Sequence, residues 1–116
     1  MEETIEQKII AINKICYSED KKVVFNDGCY VTGTNPTVEI SYYTYDGEGQ
    51  WCAELMVGNS YVRAVKNENN NLVQKEVIFY GDTMTEAVDQ LLQFCILMTE
   101  KGFIFVDYED VNFTLF

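Results

Sequence analysis

The chain contains no histidine, a single proline, and 8 lysines and arginines against 19 aspartates and glutamates, a net charge of −11. Without histidine, Ser-His-Asp and Cys-His catalysis are excluded, as is every His-bearing zinc or iron site. So few cations argue against direct binding of DNA or RNA, because that affinity comes from Lys and Arg displacing counterions from phosphates. Long apolar runs are lacking too: the longest, Leu91 to Met98, is interrupted by Gln93 and is far too short for a membrane span. The start, Met1-Glu2-Glu3, has neither the basic residues nor the apolar run of a secretory signal, so a cytoplasmic protein with no membrane association is expected. Cys16, Cys29, Cys52 and Cys95 form no C-x-x-C pair, which points to reduced thiols, mostly in the core, rather than a zinc or thioredoxin-like site.

What is present suffices for a core. Hydrophobic residues make up 47% of the 116 and aromatics 14%, no repeat or linker divides the sequence, and one domain over residues 1–116 is expected. Ile5, Ile9, Ile12 and Cys16 recur at helical spacing between Glu2 and Tyr17, with Glu6, Lys8 and Lys14 off the stripe. From Lys22 to Tyr80 the period falls to two. Val23 to Phe25 and Cys29 to Thr32 flank the turn signal Asn26-Asp27-Gly28, and Thr37 to Tyr45 and Gln50 to Val57 flank Asp46-Gly47-Glu48-Gly49. Tyr61 to Lys66 and Leu72 to Tyr80 complete the runs, separated by the polar stretch Asn67-Glu68-Asn69-Asn70-Asn71, read as a mobile loop. Thr83 and Glu86 have the spacing of a capping box, opening a helix with an apolar face of Ala87, Val88, Leu91, Leu92, Cys95 and Met98 that ends at Lys101-Gly102. The tail alternates again through Ile104, Val106 and Tyr108, then Val111, Phe113 and Leu115. The expected fold is α+β: one antiparallel sheet of about five strands, with the N-terminal helix and a second helix at about 83–101 packed on one face.

Few residues suggest chemistry. Asp46-Gly47-Glu48-Gly49 resembles a calcium loop only superficially, since Val57 stands where the bidentate glutamate belongs. Asp107, Glu109 and Asp110 read as a solvated corner, and Asn112-Phe113-Thr114 is a glycosylation sequon only on paper. No spacing singles out a carboxylate pair, so no enzyme, cofactor or metal is expected. The arrangement of charge is more informative. No Lys or Arg occurs from Val23 to Val62, nor from Glu76 to Glu100, and Tyr43 and Tyr45 alternate onto the face of Glu39, away from Val38 and Ile40. Acid interleaved with exposed tyrosine suits a protein contact surface, and charge of this sign speeds encounter with a basic partner. The candidate contact residues are Glu39, Tyr43, Tyr45, Asp46, Glu48 and Glu54, with Asp82, Glu86 and Asp89 as a second patch. Net negative charge also keeps a small protein soluble, which is the plain structural reading.

The stretch Gly81 to Leu92, GDTMTEAVDQLL, resembles the corresponding part of HicB-type antitoxins, where a strand, a G-D-T turn and an E-A helix recur in a small α+β domain. The order helix, antiparallel strands, helix is similar to the double-stranded-RNA-binding domain, whose phosphate-contacting lysines are replaced here by Asp82, Glu86 and Asp89. In general character the chain resembles the small acidic inhibitors that phages deploy against host defence, of the anti-CRISPR and anti-restriction type. That resemblance implies a stoichiometric inhibitor or nucleic-acid decoy acting on a basic nucleic-acid-binding effector. The alternative is an assembly protein, a homodimer through Phe94, Leu97 and the aromatic tail.

Overall fold

The structure, a computed structural model, describes residues 3–25, 28–69 and 71–107, and at 18–25, 28–34 and 71–72 it describes the backbone path alone. Helix α1 (Ile5–Cys16) begins in a capping box that the charge of Glu2 and Glu3 did not announce. Thr4 Oγ1 accepts from the Gln7 N–H at 3.1 Å, and Gln7 Oε1 accepts from the Thr4 N–H at 2.8 Å. Strands β1 (Ser18–Phe25) and β2 (Gly28–Thr34) form an antiparallel hairpin across residues 26–27. They are not part of the main sheet, as a single sheet would require, but a two-stranded sheet of their own. Pro36, which has no N–H for a ladder, stands buried between this hairpin and the next strand, its carbonyl accepting from Asn13 Nδ2 at 2.9 Å.

The main sheet has six strands: β3 (Thr37–Tyr45), β4 (Glu48–Val57), β5 (Ser60–Glu68), β6 (Asn71–Glu76), β7 (Ile78–Gly81) and, after helix α2 (Met84–Glu100), β8 (Ile104–Asp107). It divides into two wings. Strand β4 lies between β3 and β7, and β5 lies between β6 and β8; the wings meet where Met56 and Val57 pair with Tyr61 and Ser60. The run from Leu72 to Tyr80 is therefore not one strand. Its first half follows β5, its second half follows β4, and the switch falls at buried Val77, whose carbonyl accepts from the Leu55 N–H at 3.4 Å. Of the asparagine stretch, Asn67 and Glu68 belong to β5 and Asn71 to β6, with Glu68 paired to Asn71 and Asn69 at φ 52°.

Both helices cover one face of the β3–β4–β7 wing, α2 against β4 and β7, α1 against α2 and β3. The core there joins Ile12 and Cys16 of α1, Ala53 and Leu55 of β4, and Ala87, Val88, Leu91, Leu92, Cys95 and Met98 of α2, the apolar face read from the spacing. Two glycines permit close approach. A Cβ on Gly81 would lie 2.7 Å from the Ala87 nitrogen, and one on Gly49 would run into the Tyr42 phenol, which lies across that glycine while its ring packs on Trp51 with centroids 4.9 Å apart. Against the other wing, the β1–β2 hairpin comes up to β5 and β8, where Val65 and Val106 are fully buried outside the main core cluster. Asn26, Asp27, Tyr108, Glu109, Asp110, Val111, Phe113 and Leu115, read above from the sequence, lie outside the described residues, as does the Cys29 side chain.

Candidate functional site

The side of the β3–β4–β7 wing turned away from the helices gathers most of the acidic and tyrosine residues picked out above. Register decides this. Tyr45 pairs with Glu48, Tyr43 with Gln50, Ser41 with Cys52 and Glu39 with Glu54, and cross-strand partners share a face. From β7, Ile78 stands beside Glu54 and Tyr80 beside Cys52. The hairpin continues past the last β7 pair, at Trp51, as a two-stranded ribbon. Its tip is Asp46-Gly47 at φ 49° and 82°, both positive as a type I′ turn requires, so these are the turn residues and Glu48 already belongs to the strand. Glu39, Tyr43, Asp46 and Glu48 are exposed, and Tyr45 is the most open large side chain described, at 81%.

Glu54 departs from the expected set. It sits on this face but is only 7% exposed, and its Oε2 is buried with no hydrogen-bond partner. The alternation of β4 predicts its direction correctly, away from Trp51, Ala53 and Leu55; what it misses is that β7 flanks the strand and closes over the row. Cys52 and Met56, on the same face, are buried with it. Burial, reinforced by the charge of Glu39 opposite, raises the Glu54 pKa above the ordinary carboxylate range. The Cys52 thiol is raised by burial and by Glu54. Tyr80 is raised by burial and then by Cys52, Tyr43, Glu54 and Glu76. Three adjoining acids thus all favour their protonated forms. Glu39 and Glu54 are also the carboxylate pair that spacing alone could not select, since only the β3–β4 register brings them side by side.

Further along the same face, Arg63 of β5 bridges to Glu76 of β6 at 3.3 Å. A hollow of about 200 Å³ opens there between Tyr61, Arg63, Glu76 and Ile78. The Glu39–Glu54 pair is not in its lining: Glu39 is exposed and Glu54 buried on the sheet face beside the hollow.

The second patch does not converge in the same way. Glu86 Oε2 accepts from the Asp82 N–H at 2.9 Å while its own N–H donates to Thr83 Oγ1 at 3.1 Å, so it closes the start of α2. Asp89 is held by Lys8 of α1 at 2.6 Å. Asp82 is exposed. Two of the three carboxylates, Glu86 and Asp89, therefore have structural partners that account for their presence. Of the apolar candidates, Phe94 packs on Phe79 with centroids 4.9 Å apart, and Leu97 remains 45% exposed, as does Ile10 of α1 at 49%.

The three cysteines whose side chains are described, Cys16, Cys52 and Cys95, are buried. Cys16 Sγ donates to Cys95 Sγ at 3.4 Å, joining α1 to α2 across a sequence separation that no spacing argument addresses. Among the described residues no cluster of His, Cys, Asp and Glu side chains is placed to hold a metal ion, and no helix is long and apolar enough to cross a membrane. Comparison with protein-family models, with curated proteins and with solved structures gives no match.

Proposed function

We propose that the protein is a non-enzymatic, stoichiometric protein-binding module, an acidic inhibitor or nucleic-acid decoy that occupies the basic surface of a nucleic-acid-binding effector, in the manner of phage anti-defence proteins such as anti-CRISPRs. The observation that supports it best is the outer face of the β3–β4 hairpin. Glu39, Tyr43, Tyr45, Asp46 and Glu48 share one exposed surface, and neither strand nor the turn contributes a Lys or Arg. A cation groove would meet carboxylates there in place of phosphates, with tyrosine rings adding contact area at low entropic cost. Asp82, Glu86 and Asp89 are secondary in this reading, because capping and the Lys8 bridge already employ two of them.

The test is recovery of partners by the tagged protein from its native host, washed at about 0.1 M and at about 0.5 M salt, where screening weakens exposed charge pairs. A nucleic-acid-binding effector that leaves at high salt is the expected result. Combined reversal of Glu39, Asp46 and Glu48 to lysine should abolish its capture while leaving the thermal midpoint nearly unchanged. Retained capture by that variant would sink the assignment of this face. The second reading, self-association, draws on exposed Leu97 and Ile10, and predicts recovery of the protein alone, unaffected by salt.

A further inference from the structure

Glu54 presents an energetic puzzle that the fold does not answer from within. An ionisable carboxyl that is nine-tenths buried, with Oε2 unpartnered and a second carboxylate opposite, destabilises the folded state relative to an apolar residue of the same shape. Among the described residues, Arg63 on this face is engaged with Glu76 on the other wing, and Lys8 is engaged with Asp89 on the helix side. Nothing in strand formation requires an acid here, since β-branched residues suit a flanked central strand better.

The surroundings have the make-up of a receptor for one kind of group. Glu39 supplies a second carboxylate directly across from Glu54, Ile78 and Met56 supply apolar walls, and Tyr43 and Tyr80 supply half-exposed rings. A side chain with an apolar stem, a planar cationic head able to bridge two carboxylates, and an affinity for aromatic faces satisfies each of these at once. Arginine has all three properties. Its guanidinium is also weakly hydrated and keeps its charge in a poorly solvated site, where a lysine ammonium loses its proton more readily.

We propose that Glu54, with Glu39 beside it, is the anchor point for an arginine side chain of the protein partner, which enters the outer face between β3 and β7. This rests on the outer-face reading given above and names the chemistry that the partner must present. Ion pairing with an arginine favours the carboxylate form of Glu54, so arginine binding strengthens as pH rises through the Glu54 titration. The other groups facing that carboxyl are Glu39 from β3, Cys52 on its own strand, Tyr80 from β7, and Tyr43 and Glu76 at the edge of the cluster.

The experiment uses the full chain carrying 13C-labelled glutamate, titrated by NMR with blocked hexa-arginine and, separately, hexa-lysine peptides. The expected result is tighter binding of the arginine peptide, movement of the Glu54 carboxyl resonance, and a fall in its titration midpoint when the peptide is present. Glu54→Gln should weaken hexa-arginine at least about tenfold, as expected for loss of a charge-assisted contact, with its melting checked in parallel. Asp46→Asn combined with Glu48→Gln, at the far end of the hairpin, should weaken both peptides alike. An unmoved Glu54 resonance at saturation, unchanged affinity in Glu54→Gln, or equal affinity for the two peptides overturns the arginine anchor, even where the Asp46 and Glu48 variant still loses binding. Failure of both peptides to bind at all overturns the outer-face reading itself, and the anchor with it.

Discussion

On the inner face of the β3–β4–β7 wing, Ala53 and Leu55 are buried in the core cluster with side chains of α2 such as Val88 and Leu91; on the outer face, Cys52 and Glu54 are buried outside that cluster, on a strand flanked by β3 and β7. The two modes of burial have different consequences. A second layer removes apolar surface from water and returns dispersion contacts above every atom. Burial outside the core removes water from polar groups without returning a hydrogen bond to Glu54 Oε2, and it raises the Glu54, Cys52 and Tyr80 pKa values together. The inner face is organised for stability, and the outer face is where the partner proposed above would bind.

The sharpest way to break this contrast is a pair of truncations. Leu91→Ala, at a fully buried helix position, should cost about 3 kcal/mol in denaturant unfolding, whereas Tyr43→Ala, on a half-exposed side chain, should cost less than about 1 kcal/mol. Comparable losses at the two positions would make the outer face a second core. A smaller effect probes how closely the inner layers approach. Gly81→Ala sets a methyl against the Ala87 nitrogen at 2.7 Å and should cost about 1–3 kcal/mol by forcing the first turn of α2 off β7; a neutral result would mean that the helix docks more loosely than its geometry indicates.

The smallest effect belongs to Glu54 and has a definite sign in pH. Because its folded pKa lies above the unfolded value, the folded state holds the extra proton, and stability falls as pH rises from the unfolded carboxylate range through the raised folded value. Glu54→Gln should remove that slope, leaving the variant more stable than the parent by about 1 kcal/mol at neutral pH and closer to parity in acid. Parallel stability curves for the two proteins would mean that Glu54 is solvated after all.

Much of this architecture was legible before any coordinates. The period of Ala87, Val88, Leu91, Leu92, Cys95 and Met98 marks the buried face of α2, and Asp46-Gly47 marks the β3–β4 turn, because both are local properties of backbone geometry. The break at Val77 was not legible: the run Val77-Ile78-Phe79-Tyr80 is continuously apolar and aromatic with no turn residue, while the pairing strand changes from β5 to β4, a choice made by distant residues. The candidate face was legible in direction but not in depth. Alternation aims Glu54 away from Leu55, yet only β7, distant in sequence, determines that it lies beneath the surface rather than on it. The Lys8–Asp89 bridge and the Cys16–Cys95 contact escaped for the same reason, since each depends on how two helices meet.

The ribbon at the end of β3 and β4 has one further consequence. Its turn takes both positive φ angles that a type I′ hairpin needs, and the Tyr42 ring stiffens the strand beyond by lying across Gly49. A projection shaped in this way before it meets anything loses little conformational freedom on entering a groove. Association through it would therefore carry a small entropic penalty, and the lifetime of the proposed complex would be governed by how well the groove fits a finger that does not remould itself.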